Sequence, residues 1–265
     1  MSTLTDQEFS QIRQLLHEIT GIHLSEAKKP LVLGRLSKRL RKYELESYGD
    51  YLRLIQKDAT ERQVAIDLLT TNETHFFREP KHFDFLTREV LPHVHPGAPF
   101  RVWSAACSTG EEPYSIAMVL AESLGAQSWE ILATDISTRV LKQAETGQYP
   151  IERAKEIPEA YLKKFCKKGI RSQEGTFLID RELRDRIHFK QLNLNASLPK
   201  QSPFDVIFLR NVMIYFNPET KRRIVGNLVQ QLRPNGYMMI GHSESLNGIS
   251  EDLSAVQPAT YRKPG

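Results

Sequence analysis

The chain has 265 residues, of which 40% are hydrophobic and 26% charged, as expected for a globular protein. Two cysteines, Cys107 and Cys166, exclude a disulfide framework, and no apolar run reaches the roughly 18 residues of a membrane helix. The net charge of +4 is too small to name an acidic partner, and we expect a cytoplasmic protein that does not insert into a membrane.

The first 70 residues show helical spacing of apolar side chains. The first predicted helix has its N-cap at Asp6 and ends at Gly21, and the second begins near Pro30. Two shorter helices follow and end near Leu69. We therefore predict a small all-helical domain over residues 1–75.

Strands alternate with helices in the remainder of the chain. The predicted strands are residues 100–106, 129–134, 204–209 and 237–240, and the helices are 112–124, 137–146 and 218–232. This alternation predicts an α/β fold with a doubly wound parallel sheet, whose ligand lies at the carboxyl ends of the strands. Residues 163–190 break the alternation and predict a small antiparallel β insertion. Residues 76–98 form a linker and helix, and residues 99–265 form the ligand-binding domain.

Residues 102–115 (VWSAACSTGEEPYS) carry the first site signal. A strand runs into small residues, which let a ligand approach the backbone, and then into a helix that opens with Glu111, Glu112 and Pro113. These carboxylates would repel a pyrophosphate but suit an ammonium or sulfonium group, and S-adenosylmethionine has both. The competing interpretation is that the two acids stabilise the helix dipole.

The ends of two other strands also carry polar residues. Asp135 lies where a carboxylate commonly accepts hydrogen bonds from ribose hydroxyls, and the competing interpretation is that it only caps the helix near Ser137. The strand at 204–209 brings Arg210, Asn211 and Tyr215 to the same edge of the sheet. Together these segments indicate a class I methyltransferase fold and leave its substrate open.

Four segments resemble the CheR-type chemotaxis receptor methyltransferases: residues 69–79 (LTTNETHFFRE), 102–115, 208–216 (FLRNVMIYF) and 241–244 (GHSE). The resemblance covers nearly the whole chain. It implies a glutamate O-methyltransferase that uses S-adenosylmethionine, yields S-adenosylhomocysteine and requires no metal. It also implies that the partner is the cytoplasmic helical domain of methyl-accepting chemoreceptors and that the N-terminal domain recognises this substrate. We expect a monomer that binds no nucleic acid.

The resemblance assigns site residues as well. It implies that the cofactor is bound by Asn72, Thr74, Arg78, Glu112, Asp135, Asn193, Leu194, Arg210 and Asn211. Within this set, Glu112 would hold the amino group, Asp135 the ribose, and Asn193 and Leu194 the adenine. Arg78 and Tyr215 are the predicted catalytic residues. Alternatively, Asn72 and Thr74 only cap a turn, and Arg78 is a surface residue.

A basic face on the second helix is the candidate recognition surface. Arg35, Lys38, Arg39 and Lys42 share one sector of that helix. They could bind an acidic receptor segment, contact nucleic-acid phosphates, or simply form a solvated face.

Two other functions compete with receptor methylation. A nucleic-acid methyltransferase would share the cofactor domain, but the chain has neither an Asp/Asn-Pro-Pro-aromatic motif nor a Pro-Cys nucleophile. A non-catalytic docking module that senses S-adenosylmethionine is disfavoured because the complete set of predicted site residues is present.

Overall fold

A computed structural model describes residues 3–95 and 97–265 of the chain. Its N-terminal part contains four helices: α1 (Asp6–Thr20), α2 (Lys29–Lys42), α3 (Tyr48–Lys57) and α4 (Ala59–Leu69). The N-cap of α1 is Thr5 and not Asp6, because the Thr5 hydroxyl accepts from the Glu8 amide while the Glu8 carboxylate accepts from the Thr5 amide. Gly21, in the left-handed conformation, ends α1 as predicted.

A buried carboxylate ties three of these helices together. Glu61 of α4 is 2% exposed and forms an ion pair with Arg39 of α2. It also accepts hydrogen bonds from the hydroxyls of Tyr43 (2.8 Å) and Tyr51 (2.7 Å). Burial alone would raise the pKa of Glu61, but these hydrogen bonds and the charge of Arg39 hold it below its usual value.

Ten strands and six further α-helices follow in the part of the chain that the structure describes. The strands are β1 (Phe100–Ser104), β2 (Trp129–Asp135), β3 (Gln148–Pro150), β4 (Cys166–Lys168), β5 (Thr176–Ile179), β6 (Ile187–Gln191), β7 (Phe204–Leu209), β8 (Leu232–Ile240), β9 (Ser254–Gln257) and β10 (Thr260–Arg262). The helices are α5 (Lys81–Phe85), α6 (Glu111–Leu124), α7 (Thr138–Thr146), α8 (Glu159–Phe165), α9 (Arg181–Arg184) and α10 (Pro218–Gln231).

Seven strands form the main sheet in the order β6-β2-β1-β7-β8-β10-β9. The first five are parallel, whereas β10 runs antiparallel to both β8 and β9. The predicted doubly wound sheet is therefore confirmed, with an antiparallel edge that the apolar pattern did not reveal. Every residue of the central strand β7 is buried, which explains its continuous apolar run.

The small antiparallel sheet is present but displaced from the predicted range of 163–190. It has the order β3-β5-β4, so it extends over residues 148–179. Residues 187–191, predicted within the insertion, form β6 and pair with β2 of the main sheet. This edge strand is buried mainly at Ile187 and lacks the apolar run of an inner strand.

The helical domain packs against the carboxyl ends of the main-sheet strands. Asp67 of α4 accepts from both the amide (2.9 Å) and the hydroxyl (2.8 Å) of Thr138 at the start of α7. The His23 amide donates to the Tyr215 carbonyl oxygen at 2.7 Å. The two parts are joined by the linker segment, residues 70–80. The domain limits at residues 75 and 98 stay predictions.

Within the described residues, no helix combines the length and the apolar character that crossing a bilayer would require.

We expect Glu61→Gln to lower the free energy of unfolding by about 3–5 kcal/mol at pH 7, because Arg39 would lose its partner in a buried site. The lowered pKa of Glu61 means that its contribution is complete above about pH 4.3, the pKa of an unfolded glutamate, and is lost as the pH falls through the folded-state pKa. Urea unfolding at pH 7 and at several pH values below about 4.3 measures this. The difference between wild type and variant should shrink in acid, and a constant difference would contradict the ion-pair explanation.

Candidate active site

A cavity of about 380 Å³ lies between the carboxyl ends of the strands, the linker segment and the helical domain. This size suits a small-molecule ligand. All ten residues predicted for cofactor binding or catalysis line it: Asn72, Thr74, Arg78, Glu112, Asp135, Asn193, Leu194, Arg210, Asn211 and Tyr215. The structure thus brings together residues that are up to 143 positions apart in the sequence (215 − 72 = 143).

The floor of the cavity is the turn from β1 into α6. Ala105, Ala106 and Ser108 line it with small side chains. Gly110 immediately precedes α6 at a φ of 96°, and a Cβ atom there would lie only 2.8 Å from both the Ala144 Cβ and the Tyr149 hydroxyl. A glycine is therefore required for α6 to start this close to α7 and β3.

The two acids at the start of α6 point in different directions. The Glu112 carboxylate lines the cavity and accepts from the Ser104 hydroxyl (2.7 Å) and from Arg210 (2.9 Å). Glu111 is buried away from the cavity, where it accepts from the Thr109 hydroxyl, and burial raises its pKa. The geometry favours Glu112 as the carboxylate available to a ligand.

Arg210 is buried and connects parts of the site to one another. Its side chain is 2% exposed and lies between two carboxylates, with one terminal nitrogen 2.9 Å from Glu112 and the other 3.2 Å from Glu79. The second nitrogen also donates to the Arg78 carbonyl oxygen. The two carboxylates therefore compensate the charge of Arg210. A contact between Arg210 and the cofactor stays a prediction.

Sequence reasoning assigned no role to Glu79, the last residue of the 69–79 motif. Its carboxylate accepts from the Asn211 side-chain amide and from the His242 backbone amide, both at 3.1 Å. Burial would raise its pKa, but the Asn211 hydrogen bond and the nearby Arg210 charge hold it below the usual value. In the sequence, Glu79 could have been selected as a site residue because it is an acidic residue directly beside Arg78.

Glu244, in the GHSE segment, was also missed. Its carboxylate accepts from the backbone amides of Gly241 (2.8 Å), Asn211 (2.9 Å) and Ile214 (3.2 Å), and burial raises its pKa. Asn211 has a positive φ of 56°, a conformation that asparagine tolerates. A Cβ at Gly241 would lie 2.6 Å from the Asn211 side-chain nitrogen. Glu244 and Gly241 therefore hold the loop that carries Asn211 and Tyr215.

Asp135 lines the cavity and holds the backbone of two neighbouring loops, while its predicted contact with a ribose stays a prediction. One carboxylate oxygen accepts from the Ser108 amide and the other from the Ser137 amide, each at 2.9 Å. Its side chain also lines the cavity. Burial raises its pKa, against the opposing effect of these hydrogen bonds. It joins two loops and still presents its carboxylate to the cavity.

Asn193 is mainly a contact between the two domains. Its side-chain amide donates to the Ile19 carbonyl oxygen at 2.6 Å, and its side-chain oxygen accepts from the Asn195 amide at 2.9 Å. An adenine contact would therefore use its backbone or the neighbouring Leu194, which offers a buried apolar surface.

The linker segment forms one wall of the cavity. The Ser108 hydroxyl donates to the Asn72 carbonyl oxygen at 2.9 Å, and Arg153 donates to the Thr74 carbonyl oxygen at 2.7 Å. Arg78 donates to the Glu73 carbonyl oxygen at 3.0 Å. It is half-buried and lines the cavity, so it is not simply a surface residue.

Of the four residues in the predicted basic face of α2, two are engaged by other parts of the protein and two are exposed. Arg39 is engaged with Glu61, and Arg35 donates to the carbonyl oxygens of Leu68 (3.0 Å) and Thr70 (2.9 Å). Lys38 and Lys42 are exposed. The helical wheel placed all four on one polar sector, but it could not show that α4 covers part of that sector. Recognition by the four residues as one free surface is therefore not supported.

Among the described residues, Glu79, His82 and His242 bring possible metal-ligand atoms within 4.8 Å of one another. His82 is fully buried, and burial together with the Arg210 charge lowers its pKa to about 3. Arg210, 3.2 Å from Glu79, already provides the positive charge at this position and opposes a cation. The expectation of no metal stays a prediction.

The seven-stranded sheet with its antiparallel β10, and the cavity at its carboxyl edge, define a class I S-adenosylmethionine-dependent methyltransferase fold. Residues 72–262 match the family model "CheR methyltransferase, SAM binding domain", and residues 7–70 match "CheR methyltransferase, all-alpha domain". The chain belongs to the CheR methyltransferase family.

Curated relatives agree over nearly the full length. The chain is 41% identical to "Chemotaxis protein methyltransferase 2" of Pseudomonas aeruginosa, over 97% of this chain and 93% of that protein. It is also 41% identical to the "Chemotaxis protein methyltransferase" of Escherichia coli (97% and 91%) and 38% identical to that of Borreliella burgdorferi (98% and 95%). These findings confirm the family resemblance and disfavour the nucleic-acid methyltransferase and docking-module alternatives.

We expect Asp135→Ala to weaken binding of S-adenosylhomocysteine at least tenfold, because hydrogen bonds to a charged group contribute about 1.5–3 kcal/mol each. Calorimetric titration measures the affinity. The matched control is Asp84→Asn, an exposed acid on α5. Unchanged affinity in a folded Asp135→Ala protein would remove Asp135 from the site.

Proposed function

We propose that this protein transfers a methyl group from S-adenosylmethionine to glutamate side chains of bacterial chemoreceptors, forming methyl esters and S-adenosylhomocysteine. The observation that carries the proposal is that Glu112, Asp135, Arg78 and Tyr215 line one cavity. Membership of the CheR family and the chemotaxis role in the relatives' names support it.

The residues present fit this cofactor. Glu112 faces the cavity and suits a ligand ammonium, while Asp135 at the end of β2 suits a ribose diol. Leu194 provides apolar surface for an adenine, and the small side chains after β1 leave room beside the backbone. When bound, S-adenosylmethionine supplies a methyl group that is already activated by its sulfonium.

The acceptor needs no general base. A glutamate carboxyl has a pKa near ~4.3 and is ionised at neutral pH. The protein therefore has to place a carboxylate oxygen in line with the methyl group, and such positioning can lower a barrier by roughly 7–11 kcal/mol. We propose that Arg78 draws the carboxylate into the cavity and that the Tyr215 hydroxyl aligns it. Arg78 should guide the carboxylate without a tight ion pair, which would stabilise the ground state.

We further propose that the partner is the cytoplasmic helical domain of the receptors and that the protein acts in the cytoplasm as a monomer, without a metal and without binding nucleic acid. The chemotaxis relatives support the receptor as substrate. Lys38 and Lys42 of α2 are exposed and complement an acidic segment.

Incubation with methyl-labelled S-adenosylmethionine tests the proposal. Receptor-containing membranes should acquire label that mild base releases as methanol, because carboxyl esters hydrolyse readily. Added nucleic acid should remain unlabelled. Base-stable label on the receptor, or label on nucleic acid, would contradict glutamate esterification.

We expect Arg78→Ala to reduce the single-turnover rate at saturating cofactor about tenfold or more, and to reduce it more than Tyr215→Phe, because a charge attracts the carboxylate more strongly than a neutral hydroxyl. Arg78→Lys should restore part of the rate. Titration with S-adenosylhomocysteine separates cofactor binding from the methyl-transfer step. A wild-type rate in Arg78→Ala would exclude the guiding role.

A further inference from the structure

The linker segment also lines a second concave surface, which adjoins the cavity. Here an open groove of about 800 Å³ runs between α2, α7 and the linker segment. The groove and the cavity share the residues 70–75 and Arg78 as lining. A ligand in the groove therefore lies directly against the wall of the proposed methyl-transfer site.

Four arginines from four parts of the chain line this groove: Arg35 from α2, Arg78 from the linker segment, Arg139 from α7, and Arg153 from the region after β3. Two acidic side chains, Asp67 and Glu73, also line it. Four guanidinium groups lie against these two carboxylates and the Glu111 carboxylate beside Arg153, so the groove keeps an excess of positive charge.

The arginines are held in position by the linker segment or its flanks. Arg35 donates to the Thr70 carbonyl oxygen at 2.9 Å, and Arg139 to the Asn72 side-chain oxygen at 3.3 Å. Arg153 donates to the Thr74 carbonyl oxygen at 2.7 Å, and the same nitrogen lies 3.7 Å from the buried Glu111 carboxylate. In the part of the chain that the structure describes, each of these contacts uses a single terminal nitrogen. Each guanidinium is thus oriented and keeps further donors for an anionic ligand.

We propose that this groove binds the acidic polypeptide segment that carries the target glutamate, with Arg139 and Arg153 as specificity-determining residues of the catalytic domain. The proposal rests on the proposed function and extends recognition beyond α2. The exposed Arg139 and the 47% exposed Arg153 side chain contact acidic residues next to the target. The target side chain passes Arg78, which lines both the groove and the cavity.

The first test is binding of a fluorescein-labelled peptide of ten glutamates, followed by anisotropy in low salt. Arg139→Glu should weaken binding about three- to tenfold, because an attraction between charges becomes a repulsion. The matched control is Lys142→Glu, which makes the same charge change on an exposed position of α7 outside the groove lining. Equal peptide affinities of Arg139→Glu and Lys142→Glu would contradict the proposal that the groove binds the acidic segment.

The second test uses receptor methylation. Arg139→Glu should raise the KM for the receptor by a similar factor and leave S-adenosylhomocysteine affinity unchanged, and added salt should reduce the difference. An unchanged KM of Arg139→Glu for the receptor would contradict the proposal that the groove is the substrate site. Failure of the wild type to methylate receptors overturns the proposed function instead, whereas the peptide measurement still reports on the groove. A peptide displaced more effectively by a single-stranded oligonucleotide of equal charge would assign the groove to nucleic acid.

Discussion

The charge of Arg210 has to be neutralised inside the protein, because its side chain is almost removed from water. An uncompensated buried ion costs several kcal/mol, and Arg210 avoids this cost by lying between two carboxylates. Glu112 comes from the first turn of α6 and Glu79 from the end of the linker segment. This one requirement fixes the linker segment, α6 and the end of β7 relative to one another, and the shape of the cavity follows from it.

The loop after β7 depends on the same arrangement. Asn211 has a positive φ, which an asparagine adopts at some cost, and it is held by Glu79 through its side chain and by Glu244 through its backbone. Tyr215 is thereby placed at the cavity, and its carbonyl oxygen accepts from His23 of the helical domain. The helical domain therefore helps to position the active-site loop as well as covering the cavity.

The features that follow from burial could be predicted from the sequence. The fully buried β7 appears as an apolar run, and the helical domain shows apolar side chains at helical spacing. The edge strand β6 carries little of this pattern because only one face of it is covered. Strand-end residues such as Asp135 could be placed at the cavity because parallel strands end at one edge. The engagement of Arg39 by Glu61, and of Arg210 by Glu79, depends on distant segments and has no local signature.

The topology has a consequence for the order of folding. The helical domain is made of contacts between neighbouring helices, whereas the centre of the sheet pairs β1 with β7, two strands far apart in the chain. Local contacts form quickly and distant pairings slowly. The cavity needs the paired strands, the linker segment and the docked helical domain, so it is completed only in the last stage of folding. A ligand that fits the cavity, such as S-adenosylhomocysteine, therefore stabilises completely folded molecules selectively, since partly folded chains lack the cavity that binds it.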